Sequence, residues 1–433
     1  MKELKEYVLK KLLLGLGVLV LVFLVMTYFS LSSTSKSFKT CEILELPDVD
    51  QINFRDYDSV LVAASTLYEG NGVKTIMQGE QYRKAWSTPV KVPILFLNEM
   101  EGKVTIMEEG GGNQTHSLKL QLENGVLMTL RSVTKYPSPL VPKVAETLGI
   151  ENIIVDGISA QHPYAALVVA KLSDTAGILN TRPKLVFVPK QEQLAEYNDK
   201  FGNRLFLLEY ETEGNAQWLK LKNVDSLIDT DNLQKLKIKS SNKVVLNSEA
   251  LVKARLFDLL IGDWDRHAKQ WGWALENRGD SFLATPLPCD RDNAFFNLEG
   301  ILPTLISNNV FLPEVQSFEN EIDFLPGLIS SFDIYFMRGI PRITFKNEAE
   351  KLQLLLTDEV IEESFSVWPE SIFELDGKEL ISKIKHRRNQ LVEYAGQFYD
   401  QLDKSEKLTT ALKGSEDIEM TNEEMECFDC VNK

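Results

Sequence analysis

The sequence predicts an α+β protein in which a strand-rich N-terminal lobe and a helix-rich C-terminal lobe follow one N-terminal transmembrane helix. Three observations predict this fold class. Residues 12–31 are uncharged and mostly apolar, short alternating runs with turn signals continue to about residue 135, and from about residue 216 the apolar spacing is mainly helical. A chain of 433 residues, 44% of them hydrophobic, is long enough for two or three lobes.

The apolar run at residues 12–31 predicts a membrane anchor, because about 20 residues at 1.5 Å each span a hydrocarbon core of roughly 30 Å. Four lysines precede the run: Lys2, Lys5, Lys10 and Lys11. By the positive-inside rule they keep residues 1–11 in the cytoplasm, so we expect the domain to be extracytoplasmic, either periplasmic or at the surface. The alternative is a cleaved signal peptide, because small residues follow the run.

The rest of the chain divides by composition. We expect a Ser- and Lys-rich linker at residues 32–45, a strand-rich N-lobe at 46–215, a helical C-lobe at 216–403 and an acidic disordered tail at 404–433. Four cysteines are too few for a disulfide framework, and the CFDC of the tail is either a disulfide or half of a metal site. A net charge of −16 argues against a nucleic-acid partner, because clustered Lys and Arg hold phosphate backbones.

The predicted N-lobe contains the strand runs SVLVAAS, KVPILFLNEMEGKVTIM and THSLKLQLENGVLMTLRSV, with LENG as a hairpin signal. Two helices follow, the second with Pro163 near its start and Gly177 at its end, and then come the strands KLVFVP and RLFLLEYE.

A glycine-bearing hairpin in this lobe can turn backbone amides toward phosphates. Its candidate residues are Gly110, Gly111, Gly112 and Thr115. The following strand, LMTLRSV, supplies a cation at Arg131, and Lys135 comes just after that strand. Together they predict an anion site on the strand-rich lobe.

The helical lobe delivers two polar loops. A helix capped by Asn247 or Ser248 ends at Gly262, where the loop GDWDRHAKQW begins. The second loop, TPLPCDRDNAFF, follows an apolar strand-like approach. Because the two loops flank a gap of hairpin size, we expect them to form one metal or phosphate site. A long helix is predicted near residues 378–402.

The residues of these loops suit phosphoryl transfer, which needs positioning, a divalent metal and a carboxylate near the attacking hydroxyl. Gln270 follows Asp265 by five residues, which resembles the spacing of the catalytic aspartate and a metal ligand in the protein-kinase arrangement, and Asp290 follows on a later element. Asp292 is either a second metal ligand or a surface turn residue. His267 is either a general base or a residue that holds the loop.

The series GGGNQTHSLKL, LMTLRSVTK, LFLLEYE, IGDWDRHAKQW and PLPCDRDNAFF resembles the atypical protein-kinase-like families. These are the HipA-like persistence-toxin kinases, the secretory-pathway Golgi kinases and the spore-coat protein kinases. The series is also similar to a domain of Bacteroidota surface proteins, often found beside a metallophosphatase module. The likeness covers roughly residues 50–403 and implies a two-lobed protein-kinase-like fold with the site in the cleft between the lobes.

The resemblance implies roles for individual residues. Asp265 becomes the catalytic-loop aspartate, Gln270 and Asp290 become metal positions, and Arg131 becomes the strand cation that contacts nucleotide phosphates. Two departures stand out, because Gln270 replaces the usual Asn and Arg131 replaces the usual Lys.

The segment with Glu209 and Tyr210 is implied to line the adenine pocket. The helix glutamate that normally pairs with the strand cation has no clear counterpart, because HPYAALVVAKL contains none and Glu146 lies on the preceding helix.

The expected function is a membrane-anchored extracytoplasmic phosphotransferase that uses ATP with Mg²⁺ or Mn²⁺. Its partners would be the nucleotide, the membrane and an acceptor that is a protein, a sugar or a lipid. Two alternatives stay open. One is an inactive pseudokinase or surface scaffold, and the other is a kinase-fold nucleotidyl or glutamyl transferase.

Overall fold

A computed structural model describes most of the chain: residues 2–31, 42–43, 52–110, 115–135, 143–219, 221–240, 243–307 and 312–406, with 408 and 412. The predicted site residues Gly111 and Gly112, most of the linker and nearly all of the predicted acidic tail lie outside the described residues.

The described helices are α1 (Lys2–Leu31), α2 (Gly72–Gln78), α3 (Arg83–Ser87), α4 (Lys143–Leu148), α5 (Glu151–Gly157), α6 (Ala165–Ala176), α7 (Asn198–Phe201), α8 (Thr230–Ser240), α9 (Ser248–Ile261), α10 (Ile301–Ile306), α11 (Ser331–Met337), α12 (Arg342–Leu355), α13 (Asp358–Ser364), α14 (Glu370–Ile372) and α15 (Lys378–Lys404).

The described strands are β1 (Glu42–Ile43), β2 (Ser59–Ala63), β3 (Val90–Pro93), β4 (Thr105–Gly110), β5 (Ser117–Gln121), β6 (Leu127–Ser132), β7 (Lys184–Val188), β8 (Arg204–Tyr210), β9 (Gly214–Asn215), β10 (Val224–Asp229), β11 (Val244–Leu246), β12 (Trp271–Asn277) and β13 (Phe282–Pro288).

The apolar run near the N-terminus forms the single long helix α1. Two stretches of the described chain are long and apolar enough to cross a membrane, Leu4–Leu31 and Glu151–Ala176. The second is mostly buried inside the protein, which is typical of a core helix, whereas the first is almost entirely exposed. An N-terminal apolar helix is therefore present, as predicted.

The larger N-terminal sheet is antiparallel, with the strand order β4-β5-β6-β8-β7. Alternate residues of β5 and β6, among them Leu118, Leu120 and Leu130, are fully buried against the face that Phe201 and Phe206 also line. The register places Ser117 opposite both Gly110 and Arg131, so the glycine hairpin and the strand cation share one cross-strand row. The short strands β1, β2 and β3 form a separate sheet.

The prediction that the chain is mainly helical from residue 216 is wrong for residues 224–288. This stretch contributes four strands to a second five-stranded sheet, β11-β13-β12-β10-β9, with α8 and α9 between them along the chain. Trp271 and Trp273 on β12 are fully buried and pack against Phe332, which is distant along the chain and cannot be predicted from the residues around β12. The strand therefore lacks the apolar and polar alternation that marks a half-buried strand.

Helix α9 has the ends that the sequence predicts. The side chain of Asn247, rather than that of Ser248, accepts a hydrogen bond from the Ala250 amide at 3.2 Å. Gly262 ends the helix with φ 70°, in the left-handed region. Helix α9 packs against α12 and α15, so the loop after Gly262 starts from a rigid, buried element.

Candidate active site

The two polar loops are brought together by the antiparallel hairpin of β12 and β13. Trp271 pairs with Pro288, and the Cys289 amide donates a hydrogen bond to the Gln270 carbonyl at 3.1 Å. The residues just before β12 and those just after β13 therefore lie side by side. Asp290, next along the chain, has φ 53°, which places a non-glycine residue in the left-handed region at the start of the loop.

Arg131 connects the N-terminal sheet to this loop. Its Nη1 lies 2.5 Å from Oδ1 of Asp290, and its Nε donates to Oε1 of Glu209 at 2.9 Å. The other oxygen of Glu209 accepts a hydrogen bond from the Thr181 hydroxyl at 2.6 Å. Arg131 thus has a carboxylate partner from strand β8, which explains how the cation is held without a helix glutamate.

A second ion pair lies beside the first. The ammonium group of Lys135 contacts Oδ2 of Asp292, and both side chains are largely buried. The two cations predicted on the sheet and the two carboxylates predicted on the loop are therefore matched one to one.

These pairs set the charge of the two loop carboxylates. Burial raises the pKa of Asp290, but the charges of Arg131 and Lys135 and a hydrogen bond from Gln270 outweigh it and leave that pKa below its usual value. Burial and the neighbouring charge of Asp290 raise the pKa of Asp292 to about 6, against the opposing effect of Lys135. Asp290 is therefore ionised throughout the neutral range, whereas Asp292 gains a proton in mildly acidic solution.

Asp265 and His267 lie on the open side of the site, with side chains 33% and 42% exposed. Nδ2 of the Asn293 side chain lies 3.5 Å from Oδ2 of Asp265. Oδ1 of the same side chain accepts a 2.6 Å hydrogen bond from Nε2 of Gln161. His267 is 3.7 Å from Asp265, and its Nδ1 accepts a hydrogen bond from the Lys269 amide at 3.2 Å. The His267 ring thus caps the short turn that follows it, and Asn293 is a neighbour of Asp265 that the sequence did not single out.

The described part of the glycine hairpin is aligned with Arg131. Gly110 closes β4, and a Cβ placed there would lie 3.0 Å from the Ser117 hydroxyl. Two strand spacings, about 10 Å, separate its row position from that of Arg131. Thr115 is half-buried and lies two residues before β5.

The segment predicted to line an adenine pocket makes other contacts. The Tyr210 ring stacks on Trp218 with centroids 4.4 Å apart, and its amide donates to the Thr181 carbonyl at 2.9 Å. The next amide, of Glu211, donates to the Leu127 carbonyl at 3.0 Å. The side chain of Glu209 points to Arg131, so this segment supports the strand cation and stacks on its own neighbours.

Beneath the loops lies a buried network of three arginines and three aspartates: Arg255, Arg266, Arg291, Asp258, Asp263 and Asp333. Asp258 is its centre, with Nε of Arg266 at 3.2 Å, Nη1 of Arg255 at 3.2 Å and Nη2 of Arg291 at 2.9 Å. Burial raises the pKa of Asp258, but the three arginines outweigh burial and lower it below its usual value.

Arg266 links this network to both loops. It donates hydrogen bonds to the Cys289 carbonyl at 2.9 Å and to the Gln270 carbonyl at 3.0 Å. Arg266 also lies 3.5 Å from Oδ2 of Asp263, three residues earlier in the same loop. Burial raises the pKa of Asp263 well above its usual value. The contact of Arg266 with Asp263 is longer than its 3.2 Å contact with Asp258.

The oxygen atoms that could bind a metal in this site suit a metal that is held jointly by the protein and by phosphates. In the described part of the chain, no three or more His, Cys, Asp or Glu side chains form a group that could hold a metal by itself. Mg²⁺ in nucleotide sites commonly uses one or two carboxylates, waters and substrate phosphates. Asp290, Asp292 and the amide oxygen of Gln270 fit that type of site, and they do not make a complete protein cage.

Two solved structures are similar to the chain over most of its length. One is the proinflammatory kinase CtkA of Helicobacter pylori, with 14% identity, coverage of 71% of this chain and 99% of that chain, and a TM-score of 0.34. The other is a HipA, HipB and operator DNA complex of Shewanella oneidensis MR-1, with 14% identity, coverage of 72% and 70%, and a TM-score of 0.32. No protein-family model and no curated protein matches the chain.

The chain is thus similar to a kinase and to a complex that contains HipA, which agrees with the resemblance of its sequence to the atypical protein-kinase-like families. At 14% identity and these TM-scores, neither structure assigns a role to a residue of this chain. The roles of the site residues rest on their contacts.

Proposed function

We propose that the chain is a membrane-anchored, kinase-like phosphotransferase that uses ATP with Mg²⁺ or Mn²⁺. The observation that carries the proposal is the contact of Arg131 with Asp290, which joins a sheet cation to a loop carboxylate at 2.5 Å. A phosphate-binding cation and a metal-binding carboxylate must both be within reach of one metal–nucleotide complex, and this contact shows that the sheet and the loop bring the two groups together. We place the site in a cleft of a two-lobed domain, between the β4–β8 sheet and the loops after α9 and β13.

In this proposal Asp290, Asp292 and Gln270 would hold the metal, and the metal would supply positive charge beside the phosphates. Arg131 and Lys135 would contact the phosphates, together with backbone amides near Gly110 and Thr115. Both cations are now paired with the carboxylates, so binding requires an exchange of partners. Arg131 and Asp290 are 20% and 23% exposed, and solvent can therefore reach the pair that must separate.

Asp265 is proposed to orient the acceptor hydroxyl. Its carboxylate is partly exposed, while Asn293 holds one of its oxygens from the buried side. His267 stabilises the turn after Asp265 in this proposal, because its ring nitrogen is engaged with the Lys269 amide. A general base at His267 is the alternative, and an acceptor hydroxyl beside its exposed ring would favour it.

The anchor places this domain outside the cytoplasm in our proposal. The supporting features are the helix α1, which is exposed along most of its length, and the lysines before its apolar run. Protease added to intact spheroplasts should digest the domain, whereas full protection would refute the orientation.

Calorimetric titration of ATP with Mg²⁺ or Mn²⁺ into the full chain in lipid nanodiscs tests the nucleotide site. We expect Asp290→Asn to abolish metal-dependent binding, and Asp280→Asn, an exposed turn residue, to leave it unchanged. Asp265→Asn should preserve binding and lower transfer by about 10²- to 10³-fold, the size of a lost electrostatic contact in a transition state. If the wild-type chain binds no nucleotide with either metal, the proposal is refuted.

A binding protein without transfer activity is the second candidate. The contacts that favour it are the two closed ion pairs and the Tyr210 and Glu211 amides, which already donate to carbonyls of the protein. Intact-mass measurement of the chain and of acceptor mixtures separates the candidates. Added phosphate supports the phosphotransferase, an added nucleotidyl or glutamyl group supports the related transferases, and no added mass, with or without ATP binding, supports the second candidate.

A further inference from the structure

The last turns of α1 pack on the domain. Phe23, Met26, Thr27, Ser30 and Leu31 are buried or half-buried, whereas the other residues of this stretch are exposed. The spacing of three and four residues places them on one helical face. That face lies against α2, which also contacts α10.

Specific bonds hold α1 in this position. Nε2 of Gln78 donates to the Ser30 hydroxyl at 2.9 Å, and both side chains are buried. The Tyr28 hydroxyl donates to the Leu148 carbonyl, at the end of α4, at 3.1 Å. The end of α4 therefore lies at the level of Tyr28, inside the apolar run of residues 12–31.

The part of α1 that lies between its last lysines and the docked face, residues 12–22, is too short to span a bilayer. We call it the free part of α1. The last charges before the apolar run are Lys10 and Lys11, and residues 12–22 follow them before the docked face begins. These residues span about 16 Å as a helix. A hydrocarbon core is roughly 30 Å thick, so the docked stretch, residues 23–31, must cross the remainder.

We propose that the edge of the domain around α1 is embedded in the lipid leaflet through which α1 leaves the membrane. This inference rests on the proposed anchor. The edge carries four exposed apolar side chains on α2, α4 and α10: Ile76 (55% exposed), Leu148 (52%), Ile301 (43%) and Leu305 (59%). Lipid is the occupant that fits, because the docked helix itself determines the depth and the side chains are aliphatic.

Helix α10 is fixed to this edge by a close backbone contact. A Cβ added at Gly300 would lie 2.3 Å from the Gly79 nitrogen, so only glycine fits where α10 begins beside the end of α2. Gln78, the residue before Gly79, holds Ser30 of α1. Ile301 therefore starts α10 close to the docked end of the anchor.

Photo-crosslinking in nanodiscs tests the embedding with the full chain. A benzophenone amino acid replaces Leu148 or Leu305 in the edge, Leu19 in the free part of α1, or Leu354, an exposed leucine of α12 that serves as the matched control. Irradiation is followed by mass analysis for lipid adducts, and a circular dichroism melt confirms that each variant is folded.

We expect lipid adducts at Leu19, Leu148 and Leu305 and at least tenfold fewer at Leu354. Adducts at Leu19 without adducts at Leu148 and Leu305 overturn the embedding and leave the anchor in place. The absence of adducts at Leu19 overturns the anchor itself. If either edge variant fails to fold, the other edge position decides the outcome by the same comparison.

Discussion

Replacing Asp258 with Asn should strongly destabilise the protein, because this side chain is the centre of the buried charge network. Asp258 is fully buried and lies within 3.2 Å of three arginines. An amide keeps the shape of the side chain but removes its charge, which leaves the buried guanidinium groups with less compensation. Loss of one partner from a buried ion pair costs about 3–5 kcal/mol.

The matched control is the same substitution at Asp400. Its carboxylate contacts Arg342 at 2.7 Å, and the two side chains are 44% and 59% exposed. An exposed pair of this kind contributes about 0–1 kcal/mol. Urea unfolding of the full chain in nanodiscs, followed by circular dichroism at pH 7, measures both losses. A loss at Asp258 no larger than the loss at Asp400 would refute the reasoning.

The pH dependence adds a second check on Asp258. Because its pKa is lowered in the folded protein, its stabilisation is present above its unfolded pKa of about 4 and is lost as the pH falls through the folded value. The difference between wild type and Asp258→Asn should therefore stay constant from pH 8 to 5 and narrow only below about pH 4. A difference that disappears by pH 6 would contradict this assignment.

Three further predictions concern the site and the edge of the domain. Arg131→Met frees Asp290 from its ion pair, so Mn²⁺ without nucleotide should bind more tightly and ATP more weakly in calorimetry; unchanged metal affinity would exclude a partner exchange. Because the pKa of Asp292 is raised to about 6, Mn²⁺ affinity should be level above pH 6 and fall about tenfold per unit below it, a slope that Asp292→Asn should remove. Gly300→Ala should lower the free energy of unfolding more than Gly279→Ala does. Gly300 has φ 95° and lies against backbone, whereas Gly279 has φ 81° in open space, so at Gly279 only backbone strain of about 1–2 kcal/mol applies. Equal urea midpoints for the two variants would show that the contact at Gly300 is not tight.

The parts of the fold that the sequence predicted depend on local signals. Helix α9 follows from apolar spacing and from its terminal residues Asn247 and Gly262, because caps act within one turn. The closeness of the two loops follows from their spacing, since a hairpin joins elements of that separation. The strands β5 and β6 follow from alternation and the LENG turn.

The parts that the sequence did not predict depend on residues distant along the chain. The partner of Arg131 is Glu209, 78 residues away, and the partner of Arg255 is Asp333, also 78 residues away. No periodicity marks such pairs, because each depends on the packing of whole elements. The sequence offered no clear helix glutamate to pair with Arg131, whereas the structure supplies a carboxylate from β8 for this cation.

The difference in exposure between the buried network and the site pairs explains how one cluster of charges can serve two purposes. Asp258 and its arginines are almost inaccessible, so separating them would expose charges to a medium that cannot solvate them, and the loops they carry stay in place. The carboxylates of Asp290 and Asp292 are 23% and 22% exposed, so in the proposed site a metal ion can replace Arg131 and Lys135 as their partners, and phosphate can replace the carboxylates as partners of these two cations. Arg266 connects the buried network, the inner layer of charges, to the loops that carry the site pairs, through hydrogen bonds to the Cys289 and Gln270 carbonyls. Loss of the inner layer should therefore weaken ligand binding without removing any residue that contacts the ligand.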